Sequence, residues 1–434
     1  MGGSISTINL IPVLIMLNKK SYILSRIEMK WLIWAIVINS IYSVAIFSIY
    51  HYHNPYIELI VNLVIIFLAL NSLYKSNIYK NSNFYIVNIY FIWMVAQSLR
   101  GLIGCEMYMD YRQLIDGMVM LSLPILVYLF YNPHITGMVL RYWMKFGLLA
   151  FLLFIVWDVG FTSFYLAPIY LFACFFSDLP KKWKIVIFII LAVWFSKVLD
   201  RAQLMRTIMV SFIALGFYYK KFINKRVFKI IHLTFYVTPL VFLLLGYLGT
   251  FNILSYMSNE KEYKTTITTK SGEEKFVNVM GDTRTFIYTD VLASALKHNY
   301  FLCGRTPARG NDTSFFGNTS DDGKGHKMRL NERHSNELVH TNVFTWIGVI
   351  GLLLYSLIYL RASTLALFKS NNQYIKFLGI FIAFRWTLGW IEDFNSFFIL
   401  SISLWMMIAM CFSAQFRKMN DTEFKYWLLN CLPK

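Results

Sequence analysis

The chain of 434 residues is 57% hydrophobic and 18% aromatic, and only 15% of its residues are charged. Because a soluble globular domain carries about 25% charged residues, this composition excludes an ordinary soluble protein and indicates that long segments lie in lipid. The five cysteines are scattered, with no CxxC pair and no metal-ligand spacing. We therefore expect neither a disulfide framework, nor a metal site, nor a cofactor.

Apolar segments recur along the chain at a length that suits membrane helices. A helix needs about 20 apolar residues to cross a hydrocarbon core about 30 Å thick, and the sequence lacks the alternating pattern of a lipid-facing β-barrel. It therefore predicts an all-α polytopic membrane protein with about twelve transmembrane helices. The predicted spans are residues 31–50, 56–74, 84–99, 114–131, 145–160, 163–177, 184–199, 204–219, 230–249, 343–361, 374–390 and 396–413.

These spans divide the chain into three parts. Residues 1–250 are predicted to hold nine transmembrane helices, residues 251–342 one large periplasmic loop with short helices, and residues 343–434 three further transmembrane helices and a cytoplasmic tail. Within the loop, DTRTFIYTDVLASALKHN has a helical pattern, whereas RTPARGNDTSFFGNTSDDGKGHK is rich in Gly, Asp and Asn and is predicted to be irregular. A loop of this length usually has a function.

The basic residues are distributed asymmetrically across the predicted spans. With the N-terminus in the cytoplasm, the cytoplasmic segments carry 23 of the 41 Lys and Arg residues, and the short loops on the other face carry 5. The long loop carries 12, nearly balanced by 11 Asp and Glu. This pattern is typical of a multi-pass protein with both termini in the cytoplasm. Topology thus explains the net charge of +18, and we expect no nucleic-acid partner.

Four arginines lie where topology does not require a charge, at or near the outer membrane surface. They are Arg201 and Arg206 at the outer end of the eighth span, Arg284 at the start of the loop helix, and Arg385 inside the eleventh span. A charged residue within a span costs a few kcal/mol or more, so it normally faces a partner or a water-filled cavity.

Two interpretations of these arginines stay open. In the simpler one, Arg385 pairs with Asp393 or Glu392. Arg201 likewise pairs with Asp200 or extends to the membrane surface. In the other, the arginines bind a phosphate or pyrophosphate, because a guanidinium group matches phosphate oxygens in a bidentate fork.

Two histidines, His334 and His340, lie at the start of the tenth span. A neutral imidazole can accept a proton from a hydroxyl group near neutral pH, so each is a candidate general base. They are six residues apart, about 120° around a helix, and we expect at most one to face a given centre. The alternative for each is an interfacial histidine with a backbone partner. No DxD motif occurs in a suitable place, since Asp321 and Asp322 lie in the irregular segment, which favours a metal-independent reaction.

Three motifs follow one another around the large loop. The first, LDRAQLMRTIMVSFIALGFYYKK, places Arg201 after a short outer turn, and the second, GDTRTFIYTDVLASALKHNYFLCGRTP, contains Arg284 and Gly304. The third, HSNELVHTNVFTWIGVIGLLLY, contains His334, Asn336, Gly348 and Gly351. Over roughly residues 185–400 the order and spacing of these motifs resemble the O-antigen ligase and O-antigen polymerase superfamily of bacterial inner-membrane glycosyltransferases.

The third motif departs from the family pattern. The family has His directly followed by Asn, about eleven residues before the first Gly. In this chain His334 lies fourteen residues before Gly348 and His340 lies eight residues before it. The motif HSNE resembles the family's HNE with one residue inserted, which favours His334, but the choice of base between the two histidines stays open.

The resemblance implies a GT-C-type helical fold with its site at the periplasmic face, and an inverting transfer without metal. It implies a donor glycan on undecaprenyl pyrophosphate, arginines that hold the leaving group, and a histidine that activates the acceptor hydroxyl. The expected site comprises His334 and His340 as candidate bases, with Arg201, Arg206, Arg284, Arg305, Arg385 and Asn336 as binding residues.

The function that the resemblance favours is a surface-polysaccharide polymerase, which transfers an undecaprenyl-pyrophosphate-linked glycan to the next lipid-linked repeat unit; a chain-length regulator is a candidate partner. The alternative is a ligase that transfers the glycan to lipid A–core, since no residue identifies the acceptor. A flippase for lipid-linked sugars is a further alternative. Transporters, however, often show repeated halves and mid-membrane sites, whereas the ionisable residues here gather at one face.

Overall fold

The computed structural model describes residues 23–433, with gaps at 48–54, 79–80, 155–165, 197–200, 248–263, 269–273, 279–282, 314–326 and 328. The protein is 79% helical with very few strands. In the described part of the chain the helices are α1 (Arg26–Phe47), α2 (Pro55–Ser76), α3 (Tyr85–Ile103), α4 (Tyr108–Leu121), α5 (Leu126–Phe130), α6 (Pro133–Phe154), α7 (Ile169–Cys174), α8 (Lys181–Ser196), α9 (Arg201–Tyr218), α10 (Lys225–Tyr247), α11 (Thr283–Lys297), α12 (Val339–Phe368), α13 (Gln373–Leu388), α14 (Ile399–Phe412), α15 (Ala414–Lys418) and α16 (Asp421–Asn430).

A helix lies in each of the twelve apolar segments predicted from the sequence, so the all-α architecture is confirmed. Two apolar helices, Ala202–Tyr218 and Ile399–Phe412, are shorter than a typical span. The number of twelve spans and the GT-C-type arrangement remain predictions. Within the described residues, five helical segments are long and apolar enough to cross a membrane: Tyr56–Ser76, Ser82–Ile103, Tyr108–Phe130, Lys225–Leu245 and Val339–Phe368.

The core is built around α12, α13 and α14. Every residue of α14 is buried, and α12 packs against both α13 and α14. Outside this core, α3 packs against α12 and α10 packs against α13, and both expose large apolar side chains such as Ile92 and Leu240 on their other side. An apolar outer surface of this kind is stable against hydrocarbon but not against water, which agrees with a membrane protein.

The long helix α12 is interrupted at Gly348, whose φ of 72° and ψ of −176° are not helical. The interruption leaves the carbonyls of residues 345–347 without helical donors. The amides of Arg305 and Thr306 donate to the first two of these carbonyls, at 2.6 and 3.1 Å. The indole of Trp93 donates to the third at 2.9 Å. The interruption is therefore a specific structure with its own hydrogen bonds.

On the other side of the interruption, a second set of hydrogen bonds holds α12. The amides of Val349 and Ile350 donate to the carbonyls of Phe301 and Leu302, at 2.9 and 3.3 Å. Residues 301–306, which we call the clamp segment, thus fill the gap between the two halves of α12. Irregular backbone is tolerated at membrane depth only where protein or water satisfies its polar groups, and here protein does so. We call the end of the bundle that carries the clamp segment the outer end.

Two glycines make this close approach possible. Gly304 in the clamp segment and Gly348 in α12 have φ values of 74° and 72°. A Cβ atom on Gly304 would lie 2.5 Å from the backbone nitrogens of both Ile347 and Gly348, closer than any Cβ contact allows. The glycines of two separate sequence motifs are therefore in direct contact. A side chain on either one would clash with the backbone of the other.

The predicted loop contains a hairpin that the sequence analysis missed. Strands β1 (Lys264–Thr268) and β2 (Glu274–Asn278) pair antiparallel, with Lys264 opposite Asn278. The stretch KTTITTKSGEEKFVNV is rich in Thr, Ile and Val and has Ser-Gly at its centre, which is a hairpin signal. The prediction of short helices in this loop was thus incomplete.

The part of the predicted loop that follows the hairpin packs onto the start of α12, and we call its described residues between 283 and 338 the outer segment. Helix α11 confirms the helical pattern predicted for this part of the loop. Strands β3 (Asn311–Asp312) and β4 (Glu332–Arg333) pair antiparallel. A second, smaller core joins α11 to α12 and consists of Ile287, Val291, Ala295, Tyr300, Leu338 and Phe344.

The predicted cytoplasmic tail folds against the opposite end of the bundle. Asn372 donates from its side chain to the carbonyls of Phe416 and Met419, each at 2.9 Å. Trp427 on α16 donates from its indole to the carbonyl of Pro133 at 2.9 Å. These bonds make α15 and α16 part of the folded protein.

Candidate functional site

Two buried arginines meet at one carboxylate at the outer end. Arg206 on α9 forms an ion pair with Oε1 of Glu392, and Nη1 of Arg385 on α13 lies 3.3 Å from its Oε2. The exposed fractions of these arginines are 0% and 1%. The Arg385 guanidinium also lies over the ring of Phe394, 4.3 Å from its centroid. The pairing of Arg385 with Glu392 was one of the sequence predictions. We call Arg206 and Arg385 the arginine pair.

His340, in the first turn of α12, is held by backbone hydrogen bonds to the segment that runs from α13 to Glu392. Its Nε2 lies 2.9 Å from the carbonyl oxygen of Trp386, and because a carbonyl can only accept, the neutral ring carries its proton on Nε2. Nδ1 is then an acceptor, and it is buried without a partner among the described residues. The amides of Val339 and His340 donate to the carbonyls of Glu392 and Gly389, at 3.2 and 3.4 Å. These bonds fix the position of the imidazole relative to Glu392.

Aromatic rings surround the imidazole of His340. The ring centroids of Trp390, Trp386 and Tyr355 lie 4.4, 5.4 and 6.3 Å from that of His340. Both indole N–H groups and Nη2 of Arg385 are buried and have no partner in the described part of the chain. An unmet buried donor or acceptor costs about 1–3 kcal/mol. This part of the protein therefore holds three buried donors and one buried acceptor that have no partner among the described residues.

Helix α11 covers this cluster from the outer side. The hydroxyl of Tyr288 on α11 donates to the carbonyl of Trp390. Arg284 lies one turn before Tyr288 in the same helix, and Arg201 is the first residue of α9, five residues before Arg206. The side chains of Arg284 and Arg201 lie outside the described residues, so their roles in pyrophosphate binding remain predictions.

His334 lies in the outer segment and makes a different set of contacts. Its Nε2 lies 2.9 Å from the carbonyl of Pro307, and its ring centroid lies 5.2 Å from that of Trp346. Burial lowers the pKa of the His334 imidazole, while the Pro307 carbonyl and the carboxylates of Asp116 and Glu332 partly oppose this shift. His334 is thus neutral at neutral pH, as a base must be, but its Nε2–H holds the outer segment together.

Arg305 belongs to a network of ion pairs in the outer segment. Its Nη1 lies 2.7 Å from Oδ1 of Asp312 and donates to the carbonyl of Gly310 at 2.8 Å. Next to it, Arg309 binds both carboxylate oxygens of Glu332, at 2.9 and 2.7 Å. This arrangement stabilises the turn between the clamp segment and β3, and it supports a structural role for Arg305 beside the predicted role in substrate binding.

Asn336 links the outer segment to α12. Its side-chain amide donates to Oδ1 of Asn311 at 2.8 Å, and its carbonyl accepts from the side chain of Asn342 at 2.9 Å. Glu337, which the sequence left as either a histidine partner or a solvated residue, lies 3.3 Å from Arg333. Asn336 is therefore well placed to position α12.

The predicted site residues thus form two groups. Arg206 and Arg385 meet at Glu392 in the bundle, and the turn that carries His340 bonds to the backbone of Glu392. His334, Arg305 and Asn336 lie in the outer segment. Sequence reasoning missed Trp386 and Trp390, although the motif RWTLGW spaces them four residues apart, a spacing that brings side chains together in a helix. In the structure α13 ends at Leu388, and Trp390 lies in the turn that follows. Within the described chain, no group of His, Cys, Asp and Glu side chains has the arrangement of a metal site.

The hydrogen bonds and ion pairs of Asp312 predict that the stability of the outer segment depends on pH. Burial raises the pKa of Asp312, but hydrogen bonds from Lys297, His298 and Arg305 hold this pKa well below its usual value. The resulting stabilisation is present above the usual Asp pKa of about 3.9 and is lost as the pH falls below it. We expect Asp312→Asn to destabilise the outer segment by about 1–3 kcal/mol at pH 7.

Hydrogen exchange of the Arg305 and Thr306 amides, corrected for intrinsic rates, measures this effect. The unmutated protein and Asp312→Asn should differ at pH 7 and converge as the pH falls toward 2, while exchange in α16 serves as an internal control. Equal protection in the two proteins at pH 7 would show that the network contributes nothing.

Comparisons of the chain with protein-family models, with curated proteins and with solved structures find no match. The geometry of the site therefore has to support any assignment of function.

Proposed function

We propose that this protein is a membrane glycosyltransferase of the O-antigen polymerase type. It transfers an undecaprenyl-pyrophosphate-linked glycan to the next lipid-linked repeat unit, by inverting transfer without metal, at the periplasmic face of the bacterial inner membrane. The observation that carries this proposal is the buried cluster of the arginine pair and His340, in which Nδ1 of His340 and Nη2 of Arg385 have no partner among the described residues. Such a cluster suits a reaction that expels a diphosphate and deprotonates an alcohol.

The arginine pair suits the leaving group. Departure of a pyrophosphate develops negative charge, which fixed guanidinium groups stabilise without reorganisation. Glu392 supplies the counter-charge in the resting protein, since it contacts both arginines. A pyrophosphate presents more oxygens than one carboxylate. It can also accept from Nη2 of Arg385, which has no partner in the described part of the chain, so it would compete with Glu392 for the pair.

His340 suits the general base. Its Nε2–H is fixed by the Trp386 carbonyl, which leaves the Nδ1 lone pair to receive the proton of an acceptor hydroxyl. The hydroxyl oxygen then forms a bond to the anomeric carbon, the bond from that carbon to the pyrophosphate oxygen breaks, and the proton remains on Nδ1. Of the two histidines that the sequence left open, His340 is the one in the turn that bonds to the backbone of Glu392, the residue that both arginines contact.

The choice of acceptor rests on the sequence. The third motif diverges from the family pattern, which favours the polymerase over the ligase because polymerases are the more varied group. Both enzymes would use the same cluster for the same bond. Analysis of the lipid-linked glycan in a deletion strain separates them: single repeats on lipid A indicate a polymerase, and long chains left on undecaprenyl pyrophosphate indicate a ligase.

One observation favours the flippase alternative. Broken transmembrane helices form substrate sites in many transporters, and α12 is broken at Gly348. Here, however, the clamp segment fills the break and binds its exposed carbonyls, so the break is closed by protein. We therefore prefer the transferase.

The proposal predicts a strong effect at Arg385. In purified protein supplied with lipid-linked glycan, Arg385→Ala should lower the rate of transfer by about 10²-fold or more, because a charged donor to the leaving group is lost. Arg385→Lys should recover only part of the activity, since a lysine cannot form the bidentate fork. Mass spectrometry of the extended lipid-linked product measures both effects.

A matched control is Arg361→Ala. Arg361 lies in the other half of α12, where it bonds to Asn83 at 3.2 Å, and its loss should leave transfer nearly unchanged. Absence of transfer by the unmutated protein would reject the enzyme in favour of a transporter. Full activity of Arg385→Ala would reject the role of the arginine pair but would leave the assignment as an enzyme standing.

A further inference from the structure

An apolar groove lies between α7, α8 and α9, away from the arginine pair. Its volume is about 630 Å³. Its lining is almost entirely apolar, with Lys184 as its one charged residue. The apolar and small residues of the lining are Ala173, Phe176, Phe188, Leu191, Ala192, Phe195, Val210, Ala214 and Leu215, and the polar ones are Ser177, Lys184, Ser211 and Tyr218.

Two of the polar side chains of the groove, those of Lys184 and Tyr218, lie at one end of it. Lys184 lies in the first turn of α8, and Tyr218 is the last residue of α9. The two helices are joined by residues 197–200 alone, and so short a connection makes them antiparallel neighbours. Lys184 and Tyr218 therefore lie at the same end of the groove, while Phe195 and Val210 lie toward the other. The groove is amphipathic along its length.

Lys184 differs from the other lysines at this end of the bundle. Lys425 and Lys220 pair with the carboxylate of Asp178, at 3.3 and 3.6 Å. Lys184 is half-buried, and it has no acidic partner among the residues that the structure describes. A half-buried cation without a counter-charge beside an apolar groove is suited to an anionic, amphipathic ligand.

We propose that the groove binds one hydrocarbon chain of an anionic phospholipid, with the lipid phosphate at Lys184. Burial of the chain against Phe188, Leu191 and Leu215 supplies affinity, since each buried methylene group is favourable. The charge of Lys184 selects anionic over zwitterionic headgroups. This site is separate from the proposed glycosyl transfer and does not depend on it.

Titration of the purified protein with palmitoyl-oleoyl phosphatidylglycerol, followed by native mass spectrometry, tests the proposal. We expect one tightly bound lipid, and palmitoyl-oleoyl phosphatidylcholine should bind about fivefold more weakly, as should phosphatidylglycerol to Lys184→Ala. Lys182→Ala is the matched control, because Lys182 is exposed next to the groove without lining it. Ala214→Trp fills the groove and should abolish binding of the tight lipid.

Each outcome bears on a different part of the proposal. Equal binding of the two lipids, or unchanged binding in Lys184→Ala, would reject the role of the charge. Unchanged binding in Ala214→Trp would reject the groove as the site. Displacement of phosphatidylglycerol by equimolar undecaprenyl phosphate would assign the groove to the polyprenyl carrier, and so would overturn the choice of a phospholipid. Thermal unfolding of each variant shows whether it is folded.

Discussion

His340→Ala is expected to lower glycan transfer by about 10³-fold, whereas His334→Ala should lower it by about tenfold or less. General base catalysis typically contributes 10²–10⁴-fold. Nδ1 of His340 is a buried acceptor without a partner among the described residues, and the turn that carries it bonds to the backbone of Glu392. His334 holds the Pro307 carbonyl, so its loss should act through the outer segment. The measurement is the initial rate of product formation per folded protein, from purified variants and lipid-linked substrate.

Rescue by added imidazole separates catalysis from structure. His340→Ala removes a ring that packs against Trp386 and Trp390, so some loss of stability is expected. Added imidazole should restore part of the transfer if the ring acts as a base, and should not if it acts only by packing. If His334→Ala abolishes transfer while His340→Ala retains it, the base is His334, as the likeness of HSNE to the family motif favours.

The sequence was most informative about elements that depend on local pattern. The apolar segments predicted helices correctly because burial in hydrocarbon requires continuous apolar runs. Helix α11 could likewise be predicted from its own periodicity. The β1–β2 hairpin was missed even though KTTITTKSGEEKFVNV is rich in Thr, Ile and Val and has Ser-Gly at its centre. The signal was present, but the sequence analysis assigned only a helical and an irregular portion to the loop and made no prediction for this stretch.

The site was less predictable, because its geometry depends on contacts between distant residues. The pairing of Arg385 with Glu392 could be expected, since the two lie seven residues apart around the end of one helix. The convergence of Arg206 on the same carboxylate could not, because α9 is more than 180 residues away in the chain. Spacing alone also left His334 and His340 equivalent, whereas the fold places them in different surroundings.

The arginines were predicted as one group, and the structure divides those whose side chains it describes. Arg305 carries the same charge as Arg385, but Asp312 and the Gly310 carbonyl occupy its Nη1. Arg385 retains a buried Nη2 without a partner among the described residues. Charge and depth are therefore insufficient to predict an anion site, and the decisive property is the set of hydrogen bonds that each guanidinium already makes.

The glycine contact between the clamp segment and α12 should be the most sensitive point of the fold. A Cβ atom on Gly348 would lie 2.2 Å from the carbonyl oxygen of Leu302, and one on Gly304 would lie 2.5 Å from the backbone nitrogen of Gly348. The backbone at Gly348 also has φ 72° and ψ −176°, a region essentially restricted to glycine. We expect Gly348→Ala and Gly304→Ala each to destabilise the protein by more than about 4 kcal/mol.

Gly104→Ala is the matched control for these variants. Gly104 also lies at the outer end, but its nearest contact to an added Cβ would be 3.7 Å, so the change should stay within about 0.5 kcal/mol. Unfolding in detergent measures the free energies. Because Gly304 and Gly348 form one contact, the double variant should cost less than the sum of the single ones. If the losses of unfolding free energy are additive, the two glycines act independently. Contact with the clamp segment would then not be what holds the half of α12 that carries His340.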